Sequence, residues 1–125
     1  MTKFDTVFIA NRGEIAVRVA STLRSLGIRS VAPYTEPDQG AYHTEAVDLA
    51  VPVGSYLDGA ELIRLAKEHG AQAVHPGYGF LSENAAFCTA CQEAGLEFIG
   101  PNPDAISKMG DKLVAKEQMK AAGLP

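Results

Sequence analysis

The sequence predicts an α/β fold, a three-layer parallel sheet with helices on both faces. Short apolar segments such as Thr6–Ala10, "TVFIA", are typical of strands that are buried on both faces. Longer amphipathic segments follow these strands, and glycines stand where the predicted helices end. The alternation of strand and helix favours a parallel sheet with right-handed crossovers.

Composition limits the classes of protein to which the chain can belong. The 125 residues are 46% hydrophobic and 21% charged, which fits one domain with a substantial core. The net charge of −4 argues against a nucleic-acid partner, because such surfaces are normally basic. The sequence has neither the apolar run of a membrane span nor the apolar region of a signal peptide, so we expect a cytoplasmic location.

The first half of the chain contains three predicted strands and one long predicted helix. In order, these segments are a strand at Thr6–Ala10, a turn at Asn11–Gly13, a helix to about Leu26, a strand at Arg29–Tyr34, a polar loop at 35–48 with room for one helical turn, and a strand at Leu49–Val53. Gly27 is a suitable residue to end the helix. Pro33 cannot donate a hydrogen bond to a neighbouring strand, so we expect its strand to lie at an edge or to end there.

The second half repeats the same alternation. Its segments are a helix from Asp58 to Gly70, a strand from Ala73, a helix that Ser82 caps and Gly95 ends, a strand at Leu96–Gly100, a short helix from Asn102 to Gly110, and a last helix that Asp111 caps. Asp58 and Glu61 have the spacing of a capping box, which supports the start of the first of these helices.

The stretch "AVHPGYGFLSENAAF", residues 73–87, places two glycines around a tyrosine between a predicted strand and a predicted helix. Gly77 and Gly79 permit positive φ angles and let a ligand approach the backbone closely. Tyr78 can place a flat, hydroxyl-tipped ring over that ligand. The structural alternative is a tight turn whose tyrosine fills a gap. We call residues 76–80 the corner.

The position of the corner also indicates a binding site. Ligands of parallel α/β sheets bind at the carboxyl ends of the strands, where this corner lies. We expect Glu83 and Asn84 in the first turn of the following helix, where they can hold the loop backbone. The free N–H groups of that turn favour an anion or a carbonyl oxygen.

Two other motifs favour structural interpretations. Cys88 and Cys91 form a C-x-x-C inside a predicted helix, without the helix-start position of a redox pair or the further ligands of a zinc site, so we interpret them as small residues beside a helix face. The first strand–turn–helix, "FIANRGEIA", has only Gly13 of the three glycines of a dinucleotide fingerprint, which argues against a nicotinamide or flavin enzyme.

Two arginines near the start of the chain leave their roles open. Arg18 lies four residues after Glu14 and either pairs with it at the surface or contacts another subunit or domain. Arg12, in the turn, either pins a loop or binds an anion.

Three blocks resemble a known family. "IANRGEIAVR", "HPGYGFLSEN" and "FIGP" followed by "MGDKLVAK" resemble the N-terminal domain of biotin carboxylase, and the resemblance covers nearly all 125 residues. It implies a Rossmann-like, pre-ATP-grasp domain over residues 1–110, with residues 111–125 as the start of a linker into an ATP-grasp domain that lies beyond this sequence.

The resemblance also implies a reaction, in which ATP, Mg²⁺ and bicarbonate are used to carboxylate biotin on a carrier protein. ATP, Mg²⁺ and biotin are therefore the cofactors expected of a full-length enzyme, and we expect none bound to this chain alone and no activity from it. The expected partners are a biotin carboxyl carrier domain, a carboxyltransferase subunit, the ATP-grasp and C-terminal domains, and a second copy in a homodimer.

The resemblance assigns roles to individual residues, and it places no catalytic or metal-binding residue in this chain. The matching positions are Tyr78 and Gly79 in the biotin pocket, Glu83 as a buttress of that loop, Lys112 as an ATP contact, and Arg18 in the dimer contact of bacterial forms. A second interface arginine of the family is Ser21 here.

Within the family, "FDTVFIANRGEIAVRV" and "SYLD" favour the alpha chain of a biotin-dependent acyl-CoA carboxylase over pyruvate or urea carboxylase. The alternatives are the N-terminal domain of another ATP-grasp ligase, similar to carbamoyl-phosphate synthetase, and a non-catalytic binding module that kept the fold.

Overall fold

The computed structural model describes residues 4–100 of the chain. The strands are β1 (Thr6–Ile9), β2 (Arg29–Tyr34), β3 (Leu49–Pro52), β4 (Ala73–His75) and β5 (Glu97–Phe98). The helices are α1 (Gly13–Ser25), α2 (Tyr42–Ala46), α3 (Gly59–Glu68) and α4 (Ala85–Glu93), with a 3₁₀ turn at Glu36–Asp38. The helices predicted from Asn102 and from Asp111 lie outside the described residues.

The five strands form one parallel sheet in the order β3-β2-β1-β4-β5. The predicted three-layer parallel α/β fold is therefore confirmed. The chain winds outward from β1 to β3 and then returns to the other side of β1 to form β4 and β5. The order reverses between β1 and β4, and such switch points are where parallel α/β sheets bind ligands.

Apolar residues of the strands pack against the helices on both faces of the sheet. On one face, Phe8 and Val74 pack with Leu62 of α3 and Phe87 of α4. On the opposite face the core residues are Val7, Ile9 and Ala73 from the strands with Ala16, Ala20 and Leu23 from α1. Because both faces are covered, the strands are continuous apolar runs rather than alternating ones, which is the pattern that predicted them.

Of the two expectations for the strand that contains Pro33, the edge position is wrong, because β2 lies between β1 and β3. The other is close to what is found, since β2 ends at Tyr34, one residue after Pro33. The carbonyl oxygen of Tyr34 accepts from the backbone N–H of Val53 at 2.9 Å, so Tyr34 faces the β3 side and Pro33 faces the other side. The pairs between β1 and β2 end at Val31 on that side. The missing donor is therefore tolerated, and the Pro33 carbonyl accepts a hydrogen bond from Nε2 of the buried His43 at 3.0 Å.

Two local predictions also need correction. The loop at 35–48 contains two helical turns, the 3₁₀ turn and α2, rather than one. Ser82 does not cap the helix after the corner: α4 begins at Ala85, and the side chain of Asn84 accepts from the N–H of Phe87 at 2.8 Å. Glu83 and Asn84 therefore precede the first turn of that helix. The N-cap of α3 is confirmed, since Asp58 accepts from the N–H of Glu61 at 3.2 Å. The reciprocal half of the capping box is not formed, because the Glu61 carboxylate accepts from Arg64 and the N–H of Asp58 donates to the carbonyl oxygen of Ser55.

Candidate functional site

The corner follows β4 at the switch point of the sheet, beside the end of β1. Gly77 and Gly79 have φ angles of +65° and +70°, and Phe80 has a φ of +49°, which is uncommon for a residue with a side chain. The Tyr78 side chain is 77% exposed. A ring so exposed does not fill a gap in the core, so the geometry favours a surface that can receive a ligand.

Asn11, the second residue after β1, holds the corner in this shape. Its side chain is fully buried, and Nδ2 donates to the carbonyl oxygens of Pro76 at 2.8 Å and Tyr78 at 2.7 Å. The Oδ1 atom accepts from the N–H of Arg12 at 2.8 Å. One amide thus joins the two turns that flank the switch point, and buried polar groups are satisfied as they must be.

No role for Asn11 follows from the sequence alone. The available signal was its place: a small amide residue directly after a buried strand, at the carboxyl end where ligand sites form. Its partners lie 65 and 67 residues along the chain, so only the topology brings them together.

Each glycine of the corner has its own reason to be glycine. A Cβ atom on Gly77 would lie 2.7 Å from Nδ2 of Asn11 and 2.7 Å from Cγ2 of Ile15, a distance that real Cβ atoms do not adopt. A Cβ on Gly79 would meet nothing within 4 Å, so only its positive φ favours glycine there.

The corner leaves three backbone donors open to a ligand. Within the part of the chain that the structure describes, the N–H groups of Tyr78, Gly79 and Phe80 have no hydrogen-bond acceptor. They belong to Tyr78, whose ring is exposed, and to the two residues that follow it. Unpaired donors next to an aromatic ring suit a flat ligand that carries a carbonyl oxygen.

A second set of contacts supports the corner from the side of β2 and β3. The ring of Phe80 packs on that of Tyr56 with centroids 5.5 Å apart. The Tyr56 hydroxyl donates to Oδ2 of Asp38 at 2.5 Å, and Arg12 donates to both carboxylate oxygens of Asp38 at 2.5 and 2.8 Å. Arg12 therefore pins a loop, which was one of the two roles open to it.

The charges in this network change the protonation equilibria of its members. The hydrogen bonds from Arg12 and then from Tyr56 hold the pKa of the Asp38 carboxyl well below its usual range. Burial and the bond to Asp38 raise the pKa of Tyr56 above its usual value. Asp38 is therefore ionised and Tyr56 neutral at physiological pH. The hydrogen bonds that Arg12 and Tyr56 donate to Asp38 are then all charge-assisted.

A cavity of about 460 Å³ lies between α1 and the corner. Its lining residues are Ile15, Arg18, Val19, Thr22, Leu23, His75, Gly77, Tyr78, Ile99 and Gly100. Arg18 is exposed, and no ion pair with Glu14 occurs among the described residues. Its expected role in a dimer contact stays a prediction.

The other predicted site residues lie apart from these contacts. Glu83 is exposed and makes no hydrogen bond or ion pair within residues 4–100, so its role as a buttress stays a prediction. Lys112, the expected ATP contact, lies outside the described residues.

Cys88 and Cys91 are buried on α4, as the structural interpretation of the C-x-x-C requires. Burial and the neighbouring Cys88 raise the pKa of the Cys91 thiol to about 12, so it is protonated at neutral pH. Among the described residues, no three His, Cys, Asp or Glu side chains are grouped so that they could hold a metal ion. None of the described helices has the length and apolar character that crossing a membrane requires.

These observations define a class of protein: a parallel α/β domain whose switch point carries a glycine–tyrosine–glycine corner with open backbone donors. The family model described as "Biotin carboxylase, N-terminal domain" matches residues 3–106. The chain belongs to this family, and the resemblance of its three sequence blocks is confirmed.

Relatives at high identity come from several kinds of carboxylase. Rat mitochondrial pyruvate carboxylase is 52% identical over 95% of this chain and 11% of its own length. The alpha subunit of the soybean mitochondrial methylcrotonoyl-CoA carboxylase is 48% identical over 98% of this chain and 18% of its own length. The chain therefore spans less than a fifth of the length of these two relatives.

A solved structure has the same fold. The biotin carboxylase domain of the Hydrogenobacter thermophilus 2-oxoglutarate carboxylase, a dimer in complex with MgADP, ADP and bicarbonate, is 46% identical to this chain, with a TM-score of 0.88. The match covers 100% of this chain and 29% of that one.

Proposed function

We propose that this chain forms the biotin-binding side of the active site in a longer biotin carboxylase, which carboxylates carrier-bound biotin with ATP and bicarbonate. The observation that carries the proposal is the corner, where three unpaired N–H groups adjoin an exposed tyrosine ring. Membership of the biotin carboxylase N-terminal domain family supports the same assignment.

The corner fits the ureido ring of biotin. That ring is flat, and its carbonyl oxygen accepts hydrogen bonds of the kind that the N–H groups of residues 78–80 offer. The Tyr78 ring provides an apolar surface for the rest of the bicycle. Bound biotin supplies the nitrogen that takes the carboxyl group, and the residues of this chain hold and orient it.

The described residues do not fit ATP and Mg²⁺. No group of three metal-ligating side chains occurs among them, and the turn after β1 is closed by the Asn11 amide rather than open to phosphate. We propose that other parts of the longer protein bind MgATP and that Lys112 contributes one contact to ATP. By this account the chain alone binds no ATP and has no carboxylase activity.

The partners follow from the same proposal. They are a biotin carboxyl carrier domain, a carboxyltransferase subunit, the ATP-grasp and C-terminal domains, and a second copy that contacts Arg18. The homologous 2-oxoglutarate carboxylase domain is a dimer with MgADP and bicarbonate, which supports the homodimer and the use of Mg²⁺. An acyl-CoA as the final acceptor is supported by the methylcrotonoyl-CoA relative at 48% identity, and a keto acid is the alternative that the pyruvate carboxylase at 52% identity supports.

The proposal is tested by replacing Tyr78 with alanine in the longer carboxylase and assaying free biotin as the substrate. We expect Tyr78→Ala to raise the KM for biotin about tenfold, the size of one lost aromatic contact, and to leave the KM for ATP unchanged. Steady-state kinetics with each substrate varied in turn measures this split.

Tyr42→Ala is the matched control, because Tyr42 is similarly exposed at 71% but lies on α2, away from the corner. It is expected to leave both KM values unchanged. Equal effects of Tyr78→Ala on biotin and ATP, or an effect of the same size from Tyr42→Ala, would contradict the proposal.

A further inference from the structure

His75 is the last residue of β4, directly before the corner, and its side chain makes a hydrogen bond to the backbone of the corner. Its Nδ1 atom accepts a hydrogen bond from the N–H of Gly77 at 3.1 Å. The backbone of His75 is fixed by the sheet, since its carbonyl oxygen accepts from the N–H of Ala10 at 2.9 Å. The imidazole is thus held by the strand and in turn holds the first peptide of the corner.

This contact requires a neutral imidazole. An acceptor at Nδ1 places the ring proton on Nε2, because a neutral histidine has one donor and one acceptor nitrogen. Protonation of the ring would put a second N–H in front of the N–H of Gly77. The hydrogen bond would then be lost, and two donors would face each other.

The surroundings of His75 favour the neutral form. The ring is half-buried in the cavity beside α1, where Arg18 is the charged group and Tyr78 the other titratable group among the described lining residues. β1, "TVFI", carries no ionisable side chain, and Glu97 of β5 pairs with Ala73, at the other end of β4. Burial lowers the pKa of His75 below its usual value.

We propose that His75 is a positioning residue, whose neutral imidazole sets the Gly77 peptide and so directs the open N–H groups of residues 78–80 toward the ligand. That this ligand is biotin rests on the proposed function. The peptide between Pro76 and Gly77 has two anchors, because its carbonyl oxygen accepts from Nδ2 of Asn11 at 2.8 Å and its N–H donates to His75. By this proposal, the loss of the His75 anchor lets the peptide turn and misdirects the N–H groups that follow it. Biotin affinity should therefore fall when His75 is protonated.

The first test uses the chain itself. Long-range ¹H–¹⁵N spectra identify the protonated nitrogen of His75, and amide spectra follow Gly77 while the pH is lowered from about 8 to 5, across the ordinary histidine pKa of about 6.5. We expect Nδ1 to carry no proton at pH 8, and the Gly77 amide to shift with the midpoint of the His75 ring, which lies below that ordinary value. A proton on Nδ1, or a Gly77 amide that does not follow the ring, would overturn the proposal.

The second test compares pH profiles in the longer carboxylase. His75→Asn keeps an acceptor near the position of Nδ1 and cannot be protonated, so its KM for biotin should match the wild type at pH 8 and should not rise in acid. His75→Ala removes the acceptor, and its KM for biotin should be raised about tenfold at every pH, the size of one hydrogen bond. The KM for ATP should not change in either variant.

His69→Asn is the control, because His69 ends α3 away from the corner. In this variant the KM for biotin should rise in acid as it does in the wild type. If the KM for biotin of His75→Asn still rises in acid as in the wild type, the role of His75 is overturned. The effect of Tyr78→Ala on the KM for biotin, and with it the proposed function, would be unaffected by that result. A Tyr78→Ala variant with no effect would instead contradict biotin as the ligand, and the spectroscopic coupling of His75 and Gly77 would still be tested by itself.

Discussion

Gly77 shows at the scale of one residue how tightly the corner is specified. Its φ of +65° disfavours any side chain, and a Cβ would also lie 2.7 Å from both Asn11 and Ile15. Gly79 has a similar φ of +70° but open space at the Cβ position. The two glycines therefore separate the cost of a backbone conformation from the cost of a steric clash.

We expect Gly79→Ala to lower the free energy of unfolding by about 1 kcal/mol, the cost of a left-handed alanine. Gly77→Ala should cost about 2–4 kcal/mol, because overpacking adds to the same conformational cost. Urea denaturation of the two variants beside the wild type measures the difference. Equal losses would mean that Asn11 and Ile15 move aside and do not constrain the corner.

The residues of the corner divide into those that the sequence reveals and those that it hides. Tyr78 and Gly79 stand out locally, because glycines around an aromatic residue between a strand and a helix have few structural uses. Asn11 does not stand out, since its meaning depends on Pro76 and Tyr78, which lie more than 60 residues away. Residue types therefore predict where the site lies. The groups that hold it in shape can be identified only when the order of the strands is known, because that order brings Asn11 next to the corner.

At the scale of elements, the Arg12–Asp38–Tyr56 network joins three loops at the carboxyl edge of the sheet. Arg12 precedes α1, Asp38 ends the 3₁₀ turn and Tyr56 precedes α3. The side chain of Asp38 is 13% exposed and that of Arg12 is 44% exposed, so solvent screens the pair in part. The network thus stabilises the loops by a moderate amount.

We expect Asp38→Asn to lower the free energy of unfolding by about 1 kcal/mol at pH 7. Because the pKa of Asp38 is lowered in the folded state, the wild-type advantage is present above the unfolded pKa of about 3.9 and is lost as the pH falls below it. Urea denaturation at pH 7, 4 and 2.5 should show the two proteins converging in acid.

Glu61→Gln is the control for this comparison, because Glu61 pairs with Arg64 on the exposed face of α3. Its stability should match the wild type at each pH, as exposed pairs contribute little. A difference between Asp38→Asn and the wild type that stays constant from pH 7 to 2.5 would contradict the assigned role of the carboxylate.

The elements themselves follow from local sequence more closely than their ends do. Apolar runs and glycine stops predict all five strands and the helices α1, α3 and α4. Ser82 and Asn84 both have capping side chains, and the choice between them depends on how the corner leaves the sheet. The expected edge position for Pro33 failed for a similar reason, because whether its missing N–H leaves a neighbouring strand unpaired depends on where β1 ends.

At the scale of the whole molecule, the fold brings the two polar turns after β1 and β4 together at the switch point. This arrangement explains why a corner built from one segment needs an amide from another. The chain spans 11–29% of the length of these relatives and of the similar solved chain. In the proposed function, other parts of the longer protein bind MgATP. Lys112 of this chain is proposed to add one contact to that ATP.

The central claim is that the corner binds the ureido ring of biotin. The most direct measurement is a crystal structure of the longer carboxylase with free biotin and bicarbonate. The account predicts the ureido oxygen within about 3 Å of at least one N–H of residues 78–80, with the Tyr78 ring against the bicycle. A ureido ring bound elsewhere, or a corner closed with Tyr78 turned into the protein, would contradict it.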